Sequence, residues 1–170
     1  MSQTRPKRIF PDVRQLRELP VQLDYVIPPE WEDGNGHVNV QYYQALFEIA
    51  GWVILEEFGV DRPWLRAHDY SFFDLEHHLL YLAEIHVGDR VTTYNRIVGK
   101  SNKRFHGVYY VYNETRERLA ASLEYISTGV DMNRRRSAPM PDPLSRGLDR
   151  LYEKHQSLSW PAELCGVMAA

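Results

Sequence analysis

Between positions 39 and 58 the apolar residues recur at helical spacing. Tyr43, Leu46, Phe47, Ala50, Val53, Ile54 and Phe58 fall on one broad stripe, which predicts a long helix buried along that side. Asn39 stands where an N-cap is needed, because its short side chain can accept from the first free N–H groups. Gly59, followed by apolar Val60, reads as the residue that closes the helix in a Schellman turn. Gln41, Gln44 and Glu48 lie opposite the stripe, and Trp52 follows Glu48 by one turn. A tryptophan among polar neighbours marks a subunit interface, a pocket wall or a partly covered surface ring. Gly51 inside a helix costs roughly 1 kcal/mol relative to Ala. It predicts the close approach of another backbone, most simply a sheet.

The pattern changes on both sides of this helix. Residues 1–20 alternate charge and proline and read as a loosely held arm. Val21 to Ile27 alternates as a short strand stopped by Pro28 and Pro29. Residues 61–64 read as a turn and 65–69 as a short connection. From Ser71 the period is two, with Phe73, Leu75, His77, Leu79 and Tyr81 on one face and Asp74, Glu76 and His78 on the other. Further strands are predicted over 91–98, 105–113 and 119–132, separated by turns at 87–90, 99–103 and 114–118. A short amphipathic helix over 144–155 and a ragged tail complete the chain.

The predicted order is a strand, a long helix, then four strands joined by tight turns. Short connections demand antiparallel neighbours, and one face of the sheet must be covered by something long and apolar. Only the 39–58 helix qualifies. The expectation is an α+β domain, an antiparallel sheet wrapped around one central helix. The boundaries drawn are an N-terminal arm over 1–20, the main domain over 21–140, and a C-terminal helix and tail over 141–170.

Composition narrows the function classes. The chain has 170 residues, 44% of them hydrophobic, and a net charge of −3. That balance favours neither nucleic acid nor an anionic membrane as a partner. No apolar run approaches the ~20 residues of a membrane span. The start, MSQTRPKRIF, is basic without a following apolar region, so no signal peptide is expected. Cys165 is the single cysteine, which excludes an internal disulfide and fits a reducing compartment. A cytoplasmic protein is expected.

The chemistry concentrates just ahead of the long helix, in Trp31-Glu32-Asp33-Gly34-Asn35-Gly36-His37-Val38-Asn39. A helix N-terminus suits an anionic or carbonyl-bearing ligand. A carboxylate such as Asp33, placed beside it, could act as a nucleophile or general base. Asp33 next to Gly34 is also ordinary turn chemistry. The motif and the order of elements together resemble the hotdog-fold acyl-CoA thioesterases of the 4-hydroxybenzoyl-CoA thioesterase type. That family's entry motif, an Asp, a Gly-His, a hydrophobic residue, an Asn, a Tyr and a later Glu, is matched by Asp33, Gly36, His37, Val38, Asn39, Tyr43 and Glu48. HHLLYLAEIHVGDRV resembles the family's strand and turn before a Gly-Asp. The chain departs from the pattern at Val40, where many members have a second Asn, and at Glu32, which directly precedes the expected Asp.

The resemblance implies thioester hydrolysis with Asp33 as the catalytic carboxylate and Glu48 as its rival, since some members carry theirs on the central helix. His37 would polarise the thioester carbonyl, orient water, or only hold the loop. Gly36, Asn39, Tyr43, Trp31, Trp52 and Phe72 are the expected substrate contacts. Lys100, Lys103, Arg104 and Arg134 to Arg136 are candidates for the phosphates of CoA. No cofactor is implied, because CoA is part of the substrate. A homodimer or homotetramer with the site between subunits is expected from an exposed sheet edge and an open helix end.

A hydratase or dehydratase of acyl thioesters is a rival on the same fold, and a non-catalytic acyl-CoA-binding or regulatory module is a rival from another class. The absence of a GxSxG elbow argues against an α/β-hydrolase. PPEW together with the later SFF, HLLYL and VGD segments resembles the thioesterases linked to carnitine breakdown, which implies a betainyl group; a short or medium fatty acyl group is expected ahead of it. Glu76, His77 and His78 invite a metal reading. Adjacent strand residues point to opposite faces, and no third ligand stands at a helpful spacing, so no metal is expected. Cys165 has no matching histidine pattern for a nucleophile.

Overall fold

The computed structural model describes residues 8–170. Its long helix, α2, spans Val40–Glu57 and is capped as the residues dictate. The Asn39 side chain accepts from the Gln41 N–H at 3.2 Å. At the other end Val60 N–H reaches Leu55 O at 3.0 Å and Gly59 N–H reaches Glu56 O at 2.9 Å, with Gly59 at φ +76°. Those two bonds close a Schellman turn. Tyr43, Leu46, Phe47, Ala50 and Ile54 are buried, while Gln41 and Glu48 are exposed.

The strands are β1 (Val21–Val26), β2 (Tyr70–Tyr81), β3 (Arg90–Lys100), β4 (Arg104–Asn113), β5 (Arg118–Asp131) and the two-residue β6 (Arg136–Ser137). They form one antiparallel sheet in the order β1-β3-β4-β5-β2, with β6 against the end of β5. Only β3, β4 and β5 make the expected meander. β2 pairs with β5 rather than β3, so the 82–89 connection crosses the sheet instead of making a hairpin. The Gly88-Asp89 turn anchors that crossing. Asp89 is buried, and its carboxylate accepts from His86 N, Asn113 Nδ2 and Arg116 Nε at 2.7–2.9 Å. β1 and β2 are left as the two edges.

α2 lies across the inner face and packs with Ile97, Tyr109, Val111, Leu123 and Tyr125. Gly51 sits where the sheet comes close, although the neighbour is a side chain rather than backbone. A Cβ there would stand 3.2 Å from the Tyr109 hydroxyl. Helix α3 (Arg62–Ala67) replaces the expected turn and connection, with Asp61 capping it through Trp64 N at 2.7 Å. Helix α4 (Asp142–Gln156) closes one end of the core through Leu144 and Leu148.

The outer face of the sheet is covered too. Leu16, Leu19 and Trp160 pack there on Tyr94, Val108, Tyr110 and Tyr112. Leu16 belongs to a four-residue helix, α1 (Val13–Leu16), held by a capping box between Asp12 and Gln15. The part of the 1–20 arm within the described residues is therefore packed rather than loose; the remainder lies outside them. The tail after α4 is packed as well, with Trp160 and Met168 buried.

Candidate active site

The loop before α2 is tied down by its own backbone. Asp33 N–H donates to His37 O at 2.9 Å and Gly36 N–H to Asp33 O at 3.1 Å, with Gly36 at φ +78°. Val38 N–H reaches Ile85 O at 2.8 Å, which fastens the loop to the crossing segment. His86 Nδ1 donates to Gly36 O at 2.9 Å, since a carbonyl can only accept. Trp31 is buried in a stack between Tyr25 and Tyr42, at ring separations of 5.2 and 4.7 Å. Tyr43 meets Tyr81 edge-on at 5.1 Å.

Within this loop Asp33 Oδ1 accepts from Asn35 N–H at 2.8 Å. That bond, opposed by partial burial and aided by the nearby His37, holds the carboxyl below the usual carboxylate range. Asp33 is therefore ionised wherever the protein is at work, a state that suits a nucleophile better than a strong base. His37 Nδ1 stands 3.3 Å from Val38 O and 3.6 Å from Asp33 Oδ1. Both neighbours are acceptors, so Nδ1 carries the proton. In the neutral ring Nε2 is then an acceptor, able to orient a water but not to donate to a carbonyl.

A second set of residues lines a cavity of about 320 Å³ between α2, the sheet and α4. Its interior is aromatic: Phe72, Phe105, Tyr125, Tyr109 and Phe47 follow one another at ring separations of 5.0–5.9 Å. Burial pushes the Tyr109 and Tyr125 hydroxyls up, and the negative Asp74 adds to this. Asn95 Nδ2 donates to Tyr125 Oη at 2.9 Å. The rim carries Glu48, Asp74, His77 and Ser127. Ser127 donates to Asp74, and His77 Nε2 lies 3.3 Å from Asp74 Oδ2. These two partners, His77 foremost, hold the Asp74 carboxyl below its ordinary value. Among the described residues that line the cavity there is neither Lys nor Arg.

The residues singled out by sequence thus divide into two places. Asp33, Gly36, His37, Asn39 and Trp31 gather at the N-terminus of α2. Glu48, Trp52 and Phe72 line the cavity, with Trp52 also covered by the Arg62 guanidinium at 3.9 Å. Glu48 lies nine residues beyond Asn39, roughly 13 Å along the helix, and Asp33 does not line the cavity. Lys103 and Arg104 sit at the β3–β4 turn, where the buried Arg104 Nε has no partner among the described residues. Lys100 is taken up by Asp149.

Asp74, His77 and Ser127 were missed as a group. Strict alternation puts Asp74 and His77 on opposite faces, but the β2–β5 register shifts between Asp74 and Glu76. The bulge at Leu75 brings both side chains to the inner face. No sequence signal marks it.

An antiparallel sheet wrapped on one buried helix, with a carboxylate-bearing loop at the helix N-terminus, is a hotdog domain. The Thioesterase-like superfamily profile matches residues 27–148. The betainyl-CoA thioesterase of Pseudomonas aeruginosa is 31% identical over 133 residues, covering 78% of this chain and 84% of that protein. The L-carnitine dehydrogenase/betainyl-CoA thioesterase of Agrobacterium fabrum is 33% identical over 126 residues, 74% of this chain but 26% of that longer protein. Among solved structures, a Staphylococcus aureus protein in complex with CoA superposes with a TM-score of 0.80 at 24% identity, covering 89% of this chain and 96% of that one. The 1,4-dihydroxy-2-naphthoyl-CoA thioesterase of Synechocystis superposes with a TM-score of 0.69 at 19% identity, covering 76% and 95%. The chain belongs to the thioesterase-like superfamily and is a thioester hydrolase of the acyl-CoA class.

Proposed function

We propose that Asp33 is the carboxylate that attacks the thioester or activates water, and that the N-terminus of α2 stabilises the developing oxyanion. The observation that carries this reading is an ionised carboxylate held beside a helix N-terminus and 3.6 Å from His37. His37 orients the water that completes hydrolysis. CoA enters as part of the substrate, with its phosphates at Lys103 and Arg104, and no further cofactor takes part.

The working unit in this reading is a homodimer, or a tetramer built from such dimers, in the cytoplasm. β2 is an unpaired edge that exposes Phe73 and Leu75 to 39% and 52%. Asp33 stands outside the cavity of its own subunit, and the cavity runs along this edge from Ser71 to His77. Pairing of two β2 edges supplies the Asp33 loop of one subunit to the cavity of the other.

The acyl group is cationic and of the betainyl type. Aromatic faces attract quaternary ammonium groups by about 0.5–2 kcal/mol each, and the two rim carboxylates favour a positive charge over a negative one. The names of the P. aeruginosa and A. fabrum relatives support the same choice. Thiol release from a panel of acyl-CoAs tests it. Betainyl-CoA should be turned over faster than the isosteric neutral acyl-CoA. Equal rates would overturn the cationic assignment, and no release from any thioester would overturn hydrolysis itself.

A further inference from the structure

On the face of the sheet opposite the cavity, three residues distant in sequence converge. His78 in β2 stands directly across from Glu124 in β5. Cys165, in the tail beyond α4, lies over both. One ligand atom from each of His78, Glu124 and Cys165 falls within 4.8 Å of the other two. We propose that these three side chains form a zinc(II) site that fastens the C-terminal tail to the sheet.

The donor set fits that ion. An imidazole nitrogen, a thiolate and a carboxylate oxygen are borderline-soft ligands of the kind zinc takes, whereas magnesium and calcium require oxygen. Zinc bonds of about 2.0–2.3 Å in a tetrahedron set ligand atoms roughly 3.5 Å apart. His78 Nδ1 and Glu124 Oε2 already stand at 3.8 Å. The other two separations are within 4.8 Å, so side-chain movement of about 1 Å closes them. A water completes the fourth position.

Glu124 offers the ion a buried, oriented carboxylate. It is 3% exposed, and a carboxylate so deeply buried is costly without compensation. Its Oε1 accepts from His106 Nε2 at 2.8 Å, and its Oε2 from the Cys165 N–H at 2.6 Å. His106, also buried, acts on the carboxylate as an outer partner that fixes its orientation, the usual arrangement around a bound metal. His78 and Cys165 are both half-buried, which leaves a path for the ion to enter. The expectation of no metal rested on neighbours in sequence. Adjacent His77 and His78 do face opposite ways, but the partners of His78 come from β5 and from the tail.

The test uses the full chain, stripped with a chelator and titrated with Co²⁺ as an optical probe for zinc. The expected result is saturation near one ion per chain, with a thiolate-to-cobalt charge-transfer band that added zinc abolishes. Cys165→Ser should lose the band, and His78→Gln should weaken binding at least about tenfold. Both positions are half-buried, and an unchanged circular dichroism spectrum checks that each variant folds; the Asp33→Asn variant should bind like wild type. Metal should also slow proteolysis within 157–170. No saturable binding by the wild type, or the same spectrum in Cys165→Ser, would overturn the proposal and leave a hydrogen-bonded cluster that holds the tail by itself.

Discussion

Ser127 in β5 donates its hydroxyl to the carboxylate of Asp74 in β2, directly across the strand pair and on the rim of the aromatic cavity. His77 foremost, and this bond with it, hold the Asp74 carboxyl below its ordinary value. For a cationic acyl group, Asp74→Asn should raise KM about fivefold, which corresponds to ~1 kcal/mol, the Coulomb term for charges about 4 Å apart in water. KM for the neutral isostere should not move. A steady-state comparison of the two substrates checks this, and equal effects on both would remove Asp74 from recognition.

Asp33→Asn keeps the shape of the loop and removes the charge. Turnover should fall by at least ~10²-fold while CoA binding persists. Glu48→Gln is the matched control and should stay within a few-fold of wild type. If the two outcomes are exchanged, the helix carries the chemistry. Because the Asp33 carboxyl is held below the ordinary carboxylate range, its ionised form persists to lower pH. The acid limb of kcat/KM assigned to Asp33 should therefore lie below the ordinary value of about 4.

The exposed β2 edge gives a prediction about assembly. Leu75→Lys places a charge on that edge, where an unpaired strand would otherwise add to another. Light scattering should change from a dimer or tetramer to a monomer, and activity should fall with it. A wild type that is monomeric at micromolar concentration would rule out the two-subunit site.

Gly147 in α4 should resist an otherwise favourable substitution. Alanine is the better helix former by about 1 kcal/mol. A Cβ at this position, however, would collide with the Phe58 ring. Overpacking of that kind costs about 1–3 kcal/mol, so Gly147→Ala should lower Tm by several degrees in a thermal melt.

His155 is buried and accepts the Ile97 N–H through Nδ1 at 2.8 Å. Burial, with Arg96 and Lys154 adding repulsion, pushes its pKa down from 6.5 to about 4. The unfolded chain binds this proton more readily, so the stabilisation is complete above pH 6.5 and is lost as pH falls toward 4. Thermal melts across that window should show Tm falling with pH, and the His155→Gln variant should show a shallower fall.

Elements whose cause is local were legible along the chain. The α2 stripe, its Asn39 cap and its Gly59-Val60 closure depend on spacing and on backbone groups only a few residues away. The loop motif likewise placed Asp33, Gly36 and His37 together, because a tight turn fixes its own geometry. Whatever depends on which strand pairs with which became visible only in the folded chain. β2 crosses to β5 because the 82–89 segment is long enough to span the sheet and is anchored by Asp89. The bulge at Leu75 then rotates Asp74 inward beside His77, which strict alternation forbids. Only that pairing sets His78 across from Glu124, and only the packed tail brings Cys165 over them. The bulge and these long-range contacts depend on partners far away in the chain, which a short-range pattern does not name.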